Sequence, residues 1–513
     1  MFAITKRPTI TEIHKLYCDN KATPTQIVQF FVNRIKENDK KINAFFCITE
    51  EIATAQANKY DQILKDTLIA KDFEGLINRQ PLFGIPFALK AIILAEGEIF
   101  NASSKILNNF KAPYSSTVYS KILEAGGLLI GINNMDQFAM GSSGETCDYG
   151  IIRNPFDSTR IPGGSSAGGA ASVGGGMVVF SLGTDTGGSI RQPAAFCDVV
   201  GLKPTYGLVS RFGVMPMASS FDQVGSMTNT VQDNIIVTRV IAGQDVLDQT
   251  TIDSSTLDDK LNNLISKQKL LNRKIHKINK TLKPLKIGIP KEFYGEGIDP
   301  IIQKSLDNLI KKLAKIGHTI VDISLPLNKY AIAVYYMTMS VEVAANLERI
   351  DGIRYAAQQG NYDELFFEHR GKYFGEEPKR RIMLGTYASS AGYYDAYYNQ
   401  AQKVRELARQ DFIKAFESCD LILTPTTPEF PFVIGDKSND PLKMYLSDVF
   451  TCGINPVRIP GLNVPLGLFD VKNQSETVKL PTGCQILAPE LSEDKIFELA
   501  LEIENLVKNG EVE

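Results

Sequence analysis

An α/β fold with a largely buried sheet is what this 513-residue sequence predicts, and three observations carry that reading. Thr23-Pro24-Thr25-Gln26 reads as a capping box with proline at the first helical position, and Ile27, Phe30, Phe31 and Ile35 then fall on one helical face. Ile302, Leu306, Leu309, Ile310 and Leu313 mark a second amphipathic helix, closed by Gly317 and followed by the strand-like Thr319–Ile323. Short apolar runs at 128–132, 177–182 and 286–289 read as buried strands between such helices.

Composition narrows the function classes. The chain is 43% hydrophobic and 22% charged with a formal charge of −3, the profile of a soluble globular protein. That balance gives no global basic footprint for DNA and no acidic tail. The seven cysteines are scattered without a CxxC pair, so neither a disulfide framework nor a metal site is expected, and reduced thiols in the cytoplasm are the plain reading. No apolar run approaches a membrane span, and the N-terminus lacks the apolar block of a signal peptide. Between residues 260 and 283 there are eight Lys/Arg and no Asp or Glu, interleaved with Leu261, Leu264, Ile265, Leu270 and Leu271. This reads as a solvated helical insertion on the surface, with contact to RNA phosphates as the alternative.

Chemistry concentrates between Gly141 and Ser189. Glycine and serine pile up in Gly141-Ser142-Ser143-Gly144, in Pro162-Gly163-Gly164-Ser165-Ser166-Ala167-Gly168-Gly169 and in Asp185-Thr186-Gly187-Gly188-Ser189. Glycine-rich corners between buried elements suit close approach of backbone to a ligand and convergence of N–H groups on an anion. No P-loop and no G-x-G-x-x-G is present. Gly164-Ser165-Ser166-Ala167-Gly168 formally fits a nucleophile elbow, but Arg160-Ile161-Pro162-Gly163 before it is a poor strand.

Four histidines is a short supply, and His276, His318 and His369 read as surface or structural residues. A serine nucleophile without histidine usually takes lysine as its base, and that lysine must be neutral in an apolar setting. Lys90 fits: it follows Phe87-Ala88-Leu89 and precedes Ala91-Ile92-Ile93-Leu94. A strand-end lysine with its head in water is the plainer alternative.

Taken together, residues 162–189, with Gly-Gly-Ser-Ser and then Asp-Thr-Gly-Gly-Ser-Ile-Arg-Gln-Pro, resemble the amidase signature family. The similarity runs from Gly84-Ile85-Pro86 through Gly201-Leu202-Lys203-Pro204-Thr205-Tyr206-Gly207 and, more patchily, nearly to the C-terminus. Asn134-Met135-Asp136-Gln137-Phe138, Ser220-Phe221-Asp222-Gln223, Arg380-Arg381-Ile382-Met383 and Gly392-Tyr393-Tyr394-Asp395 are most similar to the branch of A subunits of aspartyl/glutamyl-tRNA amidotransferases. The implied fold is a large mixed central sheet covered by helices on both faces. It would form one domain over 1–513, with a helical N-terminal part (about 1–80), a catalytic core (about 81–230), the Lys-rich insertion (about 256–284) and a substrate-pocket part (about 285–513).

The resemblance implies a Ser–cisSer–Lys triad. Ser189 would be the acyl-forming nucleophile, Ser165 the bridging serine on a cis peptide and Lys90 the base, with the backbone N–H groups of Thr186, Gly187, Gly188 and Ser189 as the oxyanion hole. It also implies glutamine as substrate, its α-carboxylate gripped by Arg381, its α-ammonium by Asp448, and its pocket lined by Tyr335, for which ordinary aromatic packing is the alternative. The implied partners are B-type and C-type amidotransferase subunits. Misacylated tRNA would bind mainly through the partner, which would also hold ATP and Mg; no cofactor is expected on this chain.

Ala91-Ile92 departs from the family, whose members usually carry Asp, often Asp-Asn, after the lysine. That change either depresses the lysine pKa further or leaves the triad poorly oriented. Two other readings stay open: a stand-alone amidase acting on another small carboxamide, and a catalytically weak scaffold within the same complex.

Overall fold

The computed structural model describes residues 4–272, 284–295, 297–355, 361, 365, 368–473 and 476–512. Among these residues, eleven strands form one mixed sheet: β1 (Phe45–Ile48), β2 (Ile85–Lys90), β3 (Gly127–Asn133), β4 (Phe180–Asp185), β5 (Val200–Lys203), β6 (Gln223–Thr228), β7 (Lys286–Pro290), β8 (Thr319–Ile323), β9 (Leu421–Pro425), β10 (Gly461–Asn473) and β11 (Glu476–Leu487). Their order across the sheet is β1-β3-β2-β4-β6-β5-β10-β11-β9-β7-β8. Every residue of β2, β3 and β4 is buried. Successive strand side chains point to opposite faces, so both faces of the sheet are covered there.

The predicted helices form as read. Pro24–Ile42 starts at a capping box in which the Thr23 amide donates to Gln26 Oε1 at 3.0 Å and the Gln26 amide donates to Thr23 Oγ1 at 3.4 Å. Ile27, Phe31 and Ile35 are buried, while Phe30 is half-buried beside Arg34. Pro300–Lys315 buries Ile302, Leu306, Leu309 and Leu313.

Three expectations need adjusting. The strand expected at 177–182 begins at Phe180 and runs to Asp185, because antiparallel β6 supplies partners as far as Asp185↔Gln223. The N-terminal part is not purely helical, since β1 pairs antiparallel with β3 at the sheet edge. In the Lys-rich stretch, the helix Ser255–Asn272 buries Leu257, Leu261 and Leu264, and Lys260 pairs with Asp494 at 3.6 Å. That part is therefore an amphipathic helix docked on the body rather than a wholly solvated insertion. Residues 273–283, with His276, lie outside the described residues, as do the side chains of Ile265, Leu270 and Leu271.

The topology aims three strand ends at one place. Strands β2 and β4 run parallel, in the register Phe87↔Phe180 and Leu89↔Leu182, and the two phenylalanine rings stack 5.3 Å apart. Lys90 at the end of β2 and Thr184-Asp185 at the end of β4 thus arrive together, beside the start of β6. The carboxyl ends of parallel strands are where open α/β sheets bind ligands.

Candidate active site

Lys90 is 1% exposed, and its Nζ is surrounded by hydroxyls: Ser165 Oγ at 2.8 Å, Ser166 Oγ at 2.9 Å and Thr184 Oγ1 at 3.0 Å. Burial drives its pKa down from 10.5 to about 7, although Asp136, Asp185 and Asp222 pull the other way. The strand-end lysine with its head in water is thereby excluded. Ala91 and Ile92 are buried and leave the lysine contacts in place.

The peptide bond between Gly164 and Ser165 is cis. Two interactions frame this corner: the Asp136 amide donates to the Ser165 carbonyl at 3.2 Å, and the Ser166 amide donates to the Ser189 carbonyl at 3.1 Å. Ser189 is therefore brought against the segment that holds Ser165. It is 9% exposed, whereas Ser165 is fully buried.

The glycines of the Asp185–Ser189 turn are explained by what surrounds them. A Cβ on Gly187 would lie 2.5 Å from Tyr335 Cζ, and one on Gly188, whose φ is +128°, would lie 2.1 Å from Thr451 Oγ1. Tyr335, predicted to line a pocket, thus packs directly on the turn. Among the described residues the amides of Thr186, Gly187 and Ser189 have no protein acceptor. Gly188 differs from the expectation: its amide donates to Asp185 Oδ1 at 2.9 Å, which removes it from a free oxyanion-binding set.

Asp185 does more than accept that bond. It forms a fully buried pair with Arg191, Nε–Oδ2 at 3.0 Å and Nη2–Oδ1 at 2.9 Å, and Arg191 is further held by Gln485 at 2.6 Å and Asn455 at 2.7 Å. Burial would raise the Asp185 pKa, but Arg191 holds it below the usual carboxylate range. Asp136 accepts from the Gly144 amide at 2.9 Å and from Thr146 Oγ1 at 2.8 Å, and burial raises it to about 6. Asp222 accepts from Thr186 Oγ1 at 2.7 Å and is likewise raised by burial to about 6.

Arg381 and Asp448 are both buried at 3% and 7% exposure. Burial raises the Asp448 pKa to about 7, against the hydrogen bond from Ser142 Oγ to Oδ2 and the charge of Arg381. Among the described residues Asp448 Oδ1 has no hydrogen-bond partner. A cavity of about 420 Å³ is lined by Ser142, Ser143, Glu377, Arg380, Arg381 and Tyr445, and so connects the arginine to the serine that holds Asp448.

His318 and His369 stand aside, as read. His318 bonds Glu502 at 2.6 Å and accepts from the Leu285 amide at 3.2 Å, while His369 packs on the Tyr373 ring. The elbow pattern has no strand before it: Ile161, Pro162 and Gly163 lie in irregular backbone.

The Amidase family model matches residues 26–497. The chain belongs to the amidase family. It is 42% identical over 499 residues to the A subunit of the glutamyl-tRNA(Gln) amidotransferase from Alkaliphilus metalliredigens, covering 97% of this chain and 96% of that one. The corresponding A subunit from Geobacillus thermodenitrificans is 44% identical, covering 96% of each chain. Among solved structures, the A subunit of the glutamyl-tRNA(Gln) amidotransferase of Thermotoga maritima is similar with a TM-score of 0.75 and 33% identity, over 98% of this chain and 96% of that one. A 6-aminohexanoate cyclic dimer hydrolase, 19% identical with a TM-score of 0.78, shares the fold.

Sequence reasoning missed several members of this amidase site. Ser166 and Thr184 share the lysine, Asp136 shapes the cis corner, and the Asp185–Arg191 pair braces the turn. The available signal was an acid and an arginine bracketing Thr186-Gly187-Gly188-Ser189-Ile190, since charges that close to buried apolar runs must be paired. Among the described residues no cluster of three or more His, Cys, Asp or Glu could hold a metal ion, and no helix is long and apolar enough to cross a membrane.

Proposed function

We propose that this chain is the glutamine-hydrolysing component of a tRNA-dependent amidotransferase, working through Lys90, Ser165 and Ser189. The observation that carries the reading is the buried amine of Lys90, 2.8 Å from Ser165 Oγ and depressed to a pKa of about 7, beside a turn that presents Ser189 and unpaired amides. Neutral Lys90 takes a proton from Ser165 as Ser165 takes one from Ser189, whose Oγ attacks the glutamine carboxamide carbon. The oxyanion is stabilised by the amides of Thr186, Gly187 and Ser189, each such donor worth ~3 kcal/mol. The proton returns through Ser165 to the leaving nitrogen, ammonia departs, and water then hydrolyses the glutamyl ester on Ser189.

Arg381 receives the α-carboxylate and Asp448 the α-ammonium, each matching its partner's charge. Tyr335 walls the turn between them. The B-type and C-type subunits complete the assembly in the cytoplasm. There a partner with ATP and Mg activates the carboxylate of Glu-tRNA(Gln) or Asp-tRNA(Asn), and the released ammonia amidates it.

Glutaminase activity of wild type, Ser189→Ala and Lys90→Ala, with and without co-purified partners, tests this; indistinguishable activities refute the triad. A stand-alone amidase is the second reading. Arg381→Ala separates the two, because specific loss of glutamine turnover supports the first and unchanged turnover sinks the pocket assignment. The hydroxyl contacts of Lys90 weigh against a catalytically weak scaffold, and an electrophile that leaves Ser189 unmodified in the complex would restore that reading.

A further inference from the structure

The guanidinium of Arg381 is not held by the groups that flank the turn but by Glu377, one helical turn before it on Glu376–Ser389. Arg381 Nε donates to Glu377 Oε1 at 2.8 Å, and Tyr445 Oη donates to the same oxygen at 2.9 Å. Arg380 Nη1 donates to the other carboxylate oxygen. Tyr445 in turn stacks on Tyr336 at 3.9 Å, and Arg381 lies 5.4 Å over the Tyr336 ring. The guanidinium is thus fixed at its Nε edge and supported on one face.

Its outer edge is different. Nη1 has only the weak acceptor Met339 Sδ at 3.7 Å, and Nη2 has no protein acceptor among the described residues. Both Arg381 and Glu377 line the cavity of about 420 Å³. A fork with its Nε side occupied and its Nη side open is the arrangement that accepts a carboxylate. Arg380 and Arg381 both pair with Glu377, so two guanidinium groups share that one carboxylate. Burial would raise the Glu377 pKa, but Arg381, Tyr445 and Arg380 hold it below its usual value, so it is a carboxylate throughout the working range.

We infer that Glu377, with Tyr445, is the positioning residue of the carboxylate clamp, setting Arg381 so that its Nη edge selects substrates bearing an α-carboxylate. This rests on the glutamine reading above. It assigns to Glu377 specificity rather than chemistry, so its loss raises KM and spares kcat.

The test is glutaminase kinetics of Glu377→Ala, Glu377→Gln, Tyr445→Phe, Arg381→Ala and the Glu377→Ala/Arg381→Ala double variant, each with any co-purifying subunits. A charge-assisted contact of this kind governs about a 10- to 100-fold change. Glu377→Ala is expected to raise KM for glutamine by at least about 10-fold with kcat within about 2-fold. Glu377→Gln keeps the acceptor oxygen and the shape, so its KM should rise less than that of alanine, and its folding is the safest of the set. In the Arg381→Ala background Glu377→Ala should add nothing, because the residue acts through the arginine. Additive losses, or a fall in kcat with KM unchanged, would assign Glu377 a purely structural role and overturn the inference. If Arg381→Ala raises KM while Glu377→Ala and Glu377→Gln do not, the positioning role fails and the glutamine pocket stands. If Arg381→Ala leaves glutamine turnover intact, the pocket reading itself fails.

Discussion

The pH dependence of Ser189 acylation is the most direct test of Lys90 as a base. The lysine pKa falls from 10.5 to about 7 because the amine is buried among hydroxyls. At pH 7.5 a group titrating near 7 is about three-quarters neutral, whereas an unperturbed lysine would be neutral to only about one part in a thousand. The burial therefore supplies a population of base about a thousand-fold larger at physiological pH. The sign is fixed: the neutral amine is the active form, so the acylation rate rises with pH, levels off above about 7, and falls tenfold per unit well below it. Asp448 also titrates near 7 and Asp136 and Asp222 near 6, so the assay must exclude them. A sulfonyl fluoride does this for Asp448, since it carries no ammonium for that carboxylate to hold. The Asp448→Asn variant should keep the same midpoint, and Lys90→Met should lose both the rate and its pH dependence. A flat profile between pH 5.5 and 9, or a midpoint near 10, would refute the role assigned to Lys90.

Other outcomes follow from the same contacts. Burying Lys90 also costs stability: the shift from 10.5 to about 7 amounts to about 5 kcal/mol, and losing its three hydrogen bonds to hydroxyls offsets about 3, so Lys90→Met should be about 2 kcal/mol more stable at pH 7. Because the depressed pKa penalises the folded state below pH 10.5, the gap should shrink as pH rises from 7 towards 10; chemical denaturation against pH reads it. Arg191→Met leaves Asp185 buried and unpaired, and should lower stability by about 3–5 kcal/mol in the same measurement; an unchanged midpoint would refute the bracing role. Gly187→Ala puts a Cβ 2.5 Å from Tyr335 Cζ and should abolish acylation, and Tyr335→Ala should partly rescue it if the clash is the cause.

The sequence announced more of the helix ends than of the strand ends or of what holds them. Helix boundaries at Thr23 and Gly317 were legible because caps are local. The position of β4 was not, because pairing with β6 extends it beyond the apolar run into Gly183-Thr184-Asp185, a long-range effect that no window reveals. Lys90, Ser165 and Ser189 lie up to 99 residues apart, and resemblance rather than spacing joined them. Ser166 stayed hidden behind a rejected elbow pattern. Its relation to Lys90 depends on β2 and β4 lying side by side. The bond of the Gly188 amide to Asp185, three residues earlier, is a local side-chain-to-backbone contact that a glycine-rich motif does not reveal.

Why the site tolerates Ala91-Ile92 follows from the charges already present. Three buried carboxylates, Asp136, Asp185 and Asp222, favour the protonated amine, and burial outweighs them to leave the pKa at about 7. Asp185 is largely matched by Arg191, while Asp136 and Asp222, raised to about 6, stay mostly ionised at pH 7 and are outweighed by burial. A further carboxylate at residue 91 would add to the group that holds the proton on Lys90. Orientation does not require it either. The amine is placed by the hydroxyls of the adjacent Ser165 and Ser166 and of Thr184 on β4, and Ser166 commits its own proton to the Thr184 carbonyl at 3.1 Å. Ser166 can therefore only accept from Lys90, which turns the lone pair of the neutral amine towards the remaining hydroxyls, Ser165 among them. An apolar residue after the lysine is thus compatible with a working base, because position comes from β4 and the cis corner, and neutrality from burial.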